Sequence, residues 1–321
     1  MGIETEYALS ALSRSGRSVG GMLLVDRFFQ AARKELTNVC DLAGGMFLQN
    51  GARFYIDSGL HPEFATPECS NPAETVSHVL AGEEILRGLA ASLEGGRSGF
   101  REVRLFRTNV DYGGTGATWG CHESYLTRTT PSDLAQQIIP HLVSRIIYSG
   151  AGGFNPMSAG IDFSLSPRVA HLRQVVSGDS THNRGIFHTK NESLARQGYS
   201  RLHILCGESL CSQLANYLKI GTTALVVAMI EAGLRPAEGV QLEFPLNAMR
   251  IFAADTRCSE AAALKTGKSA TAIQIQRHYL MQAEEHLRRD FMPDWAGDLC
   301  LQWRGALDRL ERDPASMNTT L

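Results

Sequence analysis

Residues 50–69 read "NGARFYIDSGLHPEFATPEC", and this stretch decides how the chain is read. Arg53, Tyr55 and Asp57 alternate with Phe54 and Ile56. A strand sends successive side chains to opposite faces, so the three polar groups share one face and the two hydrophobic groups the other. Such a strand has one side in a core and the other lining a polar site. His61, Glu63 and Thr66 extend the polar set beyond it. Upstream, "MFLQNGARFYID" forms two short runs around Asn50-Gly51, a strong turn signal, and reads as a hairpin.

Other strands carry related chemistry. "GIETEY" places Glu4 and Glu6 two apart, hence on one face. Neighbouring carboxylates repel unless a cation lies between them or one is protonated. Mg²⁺ is a hard cation that takes oxygen ligands and accompanies phosphates. A solvated edge strand would show the same pair, but the second polar strand at 53–57 and Glu63 weaken that reading. "GCHESY" adds His122 and Glu123, so three carboxylate-bearing strands point to a shared cation-binding sheet. Glu6 and His122 are therefore candidate metal ligands. "SRLHILCGES" places Arg201 and His203 on one face, and Arg201 is a candidate bidentate partner for a phosphate, as in a nucleotide, or for a carboxylate, or else forms a surface ion pair. The glycine-rich loop 112–120 offers backbone amides to phosphate or is a plain turn; it has neither the P-loop nor the dinucleotide pattern.

Composition bounds the rest. The chain has 321 residues, enough for a substantial core. With 31 Lys plus Arg against 33 Asp plus Glu it is near neutral, which favours neither nucleic acid nor an acidic membrane as partner. No uninterrupted apolar run suggests a membrane span, and "MGIETEYALS" has no signal-peptide pattern. Seven scattered cysteines form no CxxC pair, which fits reduced thiols in a cytoplasm.

Along the chain, the pattern predicts strands at 2–9, 101–107, 120–127, 168–176, 184–188 and 201–207. Helices are expected at 20–37, 72–93, 133–149 (bent at Pro140), 210–232, 270–289 and 296–312, with a frayed end over "ASMNTTL". The fold class is α+β, with strands concentrated in the first two thirds.

Taken together, "GIETEY", "NGARFYIDSGLHPEFATPEC", "GCHESYL", "PHLVSRIIYSGAG", "RLHILCGES", "LKIGTTALVVAMIEAG" and "TAIQIQRHYL" resemble the Pup ligase and Pup deamidase/depupylase family. They occur in family order over nearly the whole chain. The resemblance implies a glutamine-synthetase-like fold: a curved antiparallel sheet, backed by helices, that binds ATP and Mg²⁺. It implies phosphoryl activation of the C-terminal glutamate of a small ubiquitin-like modifier (Pup-like), followed by attack of a lysine on a protein substrate. Carried onto this sequence, it implies Glu4, Tyr55 and Glu63 at the magnesium site, Arg53 and Thr66 as ATP contacts, and Asp57 as the catalytic carboxylate.

The chain also departs from the family. An Arg-Asp-Glu-Pro-His run is expected just upstream of "RLH"; here Thr189 and Glu192 remain, while Lys190, Asn191 and Leu194 replace Arg, Asp and His. Lys cannot repeat a bidentate Arg contact. The loop before His122 is longer than usual. Residues 1–321 are expected to be a single Pup-ligase-like catalytic domain without the family's C-terminal small domain. The short 10–45 segment and the "DSGLHPE" spacing favour the ligase branch, whereas "NVD" at 109–111 and "TPEC" at 66–69 resemble the deamidase branch. The expected function is ATP-dependent isopeptide ligation, with the hydrolase and a non-catalytic nucleotide-binding paralogue as alternatives.

Overall fold

The computed structural model describes residues 1–41, 43–57, 59–95, 99–178, 183–188 and 198–317. They form two compact units, residues 2–121 and residues 122–321, the latter joined by Met1.

In the first unit the strands are β1 (Gly2–Glu6), β2 (Ala8–Ser13), β3 (Ser18–Val19), β4 (Asn38–Cys40), β5 (Met46–Leu48), β6 (Arg53–Ile56), β7 (Pro62–Ala65) and β8 (Phe100–Phe106), with helices α1 (Met22–Glu35) and α2 (Pro72–Ser92). Strands pair in the order β1-β7-β6-β5-β4, all antiparallel, and β3-β2-β8 form a separate sheet. The expected strand 2–9 is thus two strands that meet at Tyr7, whose N–H still donates to the Pro62 carbonyl of β7 at 2.9 Å before the chain moves to the other sheet as β2. The hairpin at Asn50-Gly51 is present, with Gly51 at φ 83°.

The apolar sides of these elements make one core. Leu24, Phe28 and Ala32 recur at helical spacing along α1 and are fully buried with Met46, Phe54 and Leu86. Phe54 meets Phe28 edge-on at 6.0 Å and Phe29 at 5.4 Å. Its partner face, Arg53 and Tyr55, stays half-buried, which is the alternation read from the sequence. Helix α2 starts where Asn71 accepts the Glu74 N–H at 2.8 Å and Pro72 fills a position that needs no donor. Gly82 lets α2 approach β7: a Cβ there would lie 2.5 Å from the Phe64 ring.

The second unit carries β9 (Cys121–Thr127, entering from the end of the first), α3 (Pro131–Ser144), α4 (Ile146–Ser149), β10 (Gly153–Phe154), β11 (Phe163–Ser164), β12 (Gln174–Ser177), β13 (Gly185–His188), β14 (Ser200–Ile204), α5 (Gln213–Glu231), α6 (Pro245–Ala254), β15 (Ala261–Ala263), β16 (Ser269–Thr271), α7 (Ala272–Glu285) and α8 (Ala296–Arg312). Strands pair as β9-β14-β13-β12; the last pair is parallel, a departure from the all-antiparallel expectation. The expected strand 168–176 starts only at Gln174, because Pro167 opens a 3-10 turn over Pro167–His171. The expected helix 133–149 passes through Pro140 and is interrupted at Arg145. Helix α5 is long and apolar enough to cross a membrane by length and composition, yet 72% of its most apolar window is buried inside the protein, as in a core helix. All seven cysteines are free thiols. Of the expected frayed end, residues 318–321 lie outside the described residues, and Pro314–Met317 form a 3-10 turn.

Candidate active site

Strand register assembles the site in the first unit. Glu6 on β1 stands opposite Glu63 on β7, and Glu63 stands opposite Tyr55 on β6. One pleat along, Glu4 faces Ala65 and Ala65 faces Arg53. Neighbouring strands lie about 4.8 Å apart, so three carboxylates, a phenol and a guanidinium crowd two adjacent rows. Thr66 closes the row at β1: its hydroxyl accepts the Ile3 N–H at 3.1 Å.

This crowding shows in the proton affinities. Burial, then the charges of Glu4, Glu6 and Asp57, push the Glu63 carboxyl up to about 9, against a hydrogen bond with Tyr55 that favours ionisation. Burial and the charges of Glu4 and Glu63 raise the Tyr55 phenol well above its ordinary range. Tyr55 therefore contributes a neutral hydroxyl in the absence of a cation.

Asp57 lies just past β6. Its Oδ1 accepts the His61 N–H at 2.6 Å, and its own N–H donates to the His61 carbonyl at 3.0 Å. His61 Nδ1 lies 3.0 Å from Glu6 Oε2 and 3.7 Å from Asp57 Oδ2. Trp119 packs on the imidazole with ring centroids 5.2 Å apart. Burial raises the Asp57 pKa, opposed by the His61 amide and helped by Glu6. The turn that fixes this pair holds Leu60 at φ 64°, a conformation that costs an ordinary residue about 1–2 kcal/mol. Backbone strain of this kind clusters at functional sites.

Arg53 is oriented by a residue the sequence reading missed. Asp41, in the turn between β4 and β5, accepts Arg53 Nε at 2.7 Å and the Ala43 and Gly45 N–H groups at 2.9 and 2.7 Å. Although desolvation works the other way, these bonds hold the Asp41 carboxyl below its ordinary pKa. The Arg53 guanidinium lies 4.3 Å from the Tyr55 ring centre. Asp before Gly44-Gly45 signals a turn, but nothing local announces its partner. Gly45 is required there, since a Cβ would come within 2.7 Å of Asp41 Oδ2.

The second unit carries the other candidates. His122 and Ser124 share the more open face of β9, and Arg201 and His203 share that of β14. Arg201 Nε donates to Ser124 Oγ at 3.0 Å, and the His203 ring lies 5.3 Å from His122 and 5.7 Å from His188. Glu123 does not belong to this face, which corrects the expectation of a third carboxylate-bearing strand. Strand alternation turns it inward, where it is fully buried against Arg145 at 2.5 and 2.8 Å and accepts the Tyr125 hydroxyl at 2.7 Å. Its role is structural. The glycine-rich loop is likewise a plain turn: Asp111 takes the Gly113 and Thr115 N–H groups, each at 2.8 Å, that a phosphate would need. Thr189, Lys190, Asn191, Glu192 and Leu194 lie outside the described residues.

The model of the Pup-ligase protein family matches residues 1–321. The chain belongs to the Pup-ligase family. It is 36% identical over 315 residues to a Pup–protein ligase of Acidimicrobium ferrooxidans, covering 96% of this chain and 68% of that protein. It is 33% identical over 362 aligned positions to a depupylase of Acidothermus cellulolyticus, covering 100% and 71%. The ligase PafA in complex with the ubiquitin-like protein Pup superposes with a TM-score of 0.82 at 29% identity, covering 100% of this chain and 66% of that one. PafA in complex with ADP gives 0.73 at 28% identity, covering 94% and 67%. The chain thus spans about two thirds of the length of these relatives, and the α+β fold expected from sequence is that of the family.

Proposed function

We propose that this chain is an ATP- and Mg²⁺-dependent ligase that joins the C-terminal glutamate of a small Pup-like modifier to a lysine of a protein substrate. In this reading residues 1–321 act as one catalytic domain, in the cytoplasm. The observation that carries it is the Glu6–Glu63–Tyr55 row, flanked by Arg53 and ending at the Asp57–His61 pair.

The residues fit a hard divalent cation. The donors are oxygens, and a Glu63 carboxyl pushed up to about 9 marks a surplus of negative charge that a cation relieves. Glu4, Tyr55 and Glu63 would hold it, with Glu6 as a further ligand. Bound there, Mg²⁺ supplies charge neutralisation for a phosphoryl group in transfer. Arg53 and Thr66 are the nucleotide contacts of the first unit. Asp41 fixes Arg53 so that little reorganisation is needed when phosphate charge arrives.

Asp57 is the base. Its raised pKa brings it closer to the range in which a carboxylate accepts a proton usefully from a lysine ammonium. His61 holds the Asp57 carboxylate through its amide, and its Nδ1 lies 3.0 Å from Glu6 Oε2, which places the imidazole between the two carboxylates.

A second reading, the hydrolase, is favoured by the depupylase relative, which matches the whole chain. In it Asp57 orients water rather than taking a proton from lysine. The test supplies ATP with a modifier ending in Glu, and separately one ending in Gln, plus a lysine-bearing protein. The expected result is a conjugate of the Glu form with ATP consumption. Deamidation of the Gln form without a conjugate would establish the hydrolase instead, and ATP binding with no turnover would establish a non-catalytic paralogue.

A further inference from the structure

We propose that Cys69, Glu74 and His78 form a metal site for a borderline divalent transition metal such as zinc, distinct from the carboxylate cluster on the sheet. The three belong to the segment that leaves β7 and enters α2, spaced Cys-x4-Glu-x3-His. Glu74 and His78, four apart on α2, share one helix face. Cys69 precedes the Asn71 cap and completes the trio. A thiol sulfur, a carboxylate oxygen and an imidazole nitrogen, one from each, all lie within 4.8 Å of one another. Zinc bonds of about 2.3 Å to sulfur and 2.0–2.2 Å to nitrogen and oxygen require ligand atoms about 3.5 Å apart. The half-buried Glu74 and His78 side chains can close the remaining gap by rotation, while buried Cys69 stays in place.

The surroundings suit such an ion. Glu74 Oε2 is fixed by the Ser70 N–H at 2.7 Å and hydroxyl at 2.9 Å. This is the outer support that metal-ligating carboxylates need. The His78 imidazole has no hydrogen-bond partner among the described residues. Cys69 is held as a thiol, donating to the Pro67 carbonyl at 3.2 Å. On binding, the sulfur gives its proton to solvent and its electron pair to the metal. Thiolate and carboxylate together bring two negative charges, which outweigh the partial positive charge at the N-terminus of α2. One sulfur, one nitrogen and one oxygen select a borderline metal, whereas the all-oxygen cluster on the sheet selects Mg²⁺. Three protein ligands leave a fourth position for water. All three come from ten consecutive residues, so little chain entropy is lost in closing the site.

Cobalt(II) titration of the reduced, metal-free full chain tests this. The expected result is one tetrahedral Co²⁺ with a thiolate-to-cobalt charge-transfer band, displaced by Zn²⁺ and not by excess Mg²⁺. The band should vanish in Cys69→Ser. In His78→Ala the affinity should drop at least about tenfold, since losing outer-shell partners alone costs about 10- to 100-fold. Zinc should also raise the melting temperature of the wild type and not of His78→Ala, which keeps the test valid if Cys69→Ser folds poorly. A wild type without the band, or a band that survives in Cys69→Ser, would overturn the proposal. Neither result bears on ATP or Pup, so the ligase reading stands or falls separately.

Discussion

Stripping divalent cations should make this protein less stable as pH rises, and Glu63 is the reason. Its side chain is buried, and its carboxyl is pushed up to about 9 from an ordinary 4.5 by burial and by Glu4, Glu6 and Asp57. Between those two values the folded chain keeps a proton that the unfolded chain releases. The stabilisation is fully present below about pH 4.5 and is lost as pH rises toward about 9. One proton of difference corresponds to about 1.4 kcal/mol per pH unit, hence up to about 2.7 kcal/mol between pH 6 and 8. For a unit the size of residues 2–121, at about 3–6 °C per kcal/mol, that is a fall of about 10 °C in melting temperature. Thermal melts in EDTA at pH 6, 7 and 8 measure it. Glu63→Gln should flatten the dependence and melt higher than wild type at pH 8. Millimolar Mg²⁺ should rescue wild type at pH 8 and leave Glu63→Gln nearly unmoved. Equal melting temperatures at pH 6 and 8 in wild-type protein, or a slope that survives in Glu63→Gln, would refute the electrostatic account of the site.

The rows that hold the first-unit candidates were legible because strand alternation is local. Arg53, Tyr55 and Asp57 must share a face if 53–57 is extended, and Phe54 confirms it by filling the core. Register was not legible: nothing in "GIETEY" says that Glu6 rather than Glu4 stands opposite Glu63. The same limit hid the Asp41–Arg53 pair, which depends on how a turn folds back over β6. Glu123 misled because a carboxylate beside a histidine reads as a ligand, while its buried partner Arg145 lies on another element. Alternation alone, applied to 121–127, already puts His122 and Glu123 on opposite faces. The β15–β16 hairpin went unread because "AAA" and "SAT" are too short and too small to show a period. By contrast, "TAIQ" announces α7, where Thr271 and Gln274 form a capping box.

Asp57→Asn should abolish ligation while leaving ATP affinity, by calorimetry, within about twofold, since Asn keeps the shape and loses the basic oxygen. Wild-type turnover in that variant would remove Asp57 as base. Asp41→Ala releases Arg53 Nε and should weaken ATP binding about tenfold, the equivalent of about 1.4 kcal/mol for one charged hydrogen bond, with little effect on turnover at saturation. Glu123→Gln probes the second unit. Arg145 is 1% exposed and gives two of its bonds to Glu123, with others to the Lys219 carbonyl at 2.9 Å and Thr223 Oγ1 at 2.6 Å. Glutamine fills the same space but leaves the guanidinium charge uncompensated where water cannot reach it. Breaking one side of a buried pair costs about 3–5 kcal/mol, or about 10 °C for a unit the size of residues 122–321. Replacing both partners by apolar residues, Glu123→Leu with Arg145→Met, removes charge and counter-charge together and should recover most of that loss. Differential scanning calorimetry of wild type and the two variants decides it. A Glu123→Gln melt equal to wild type would mean that the pair contributes no stability, and a double variant no better than the single would place the cost in shape rather than charge.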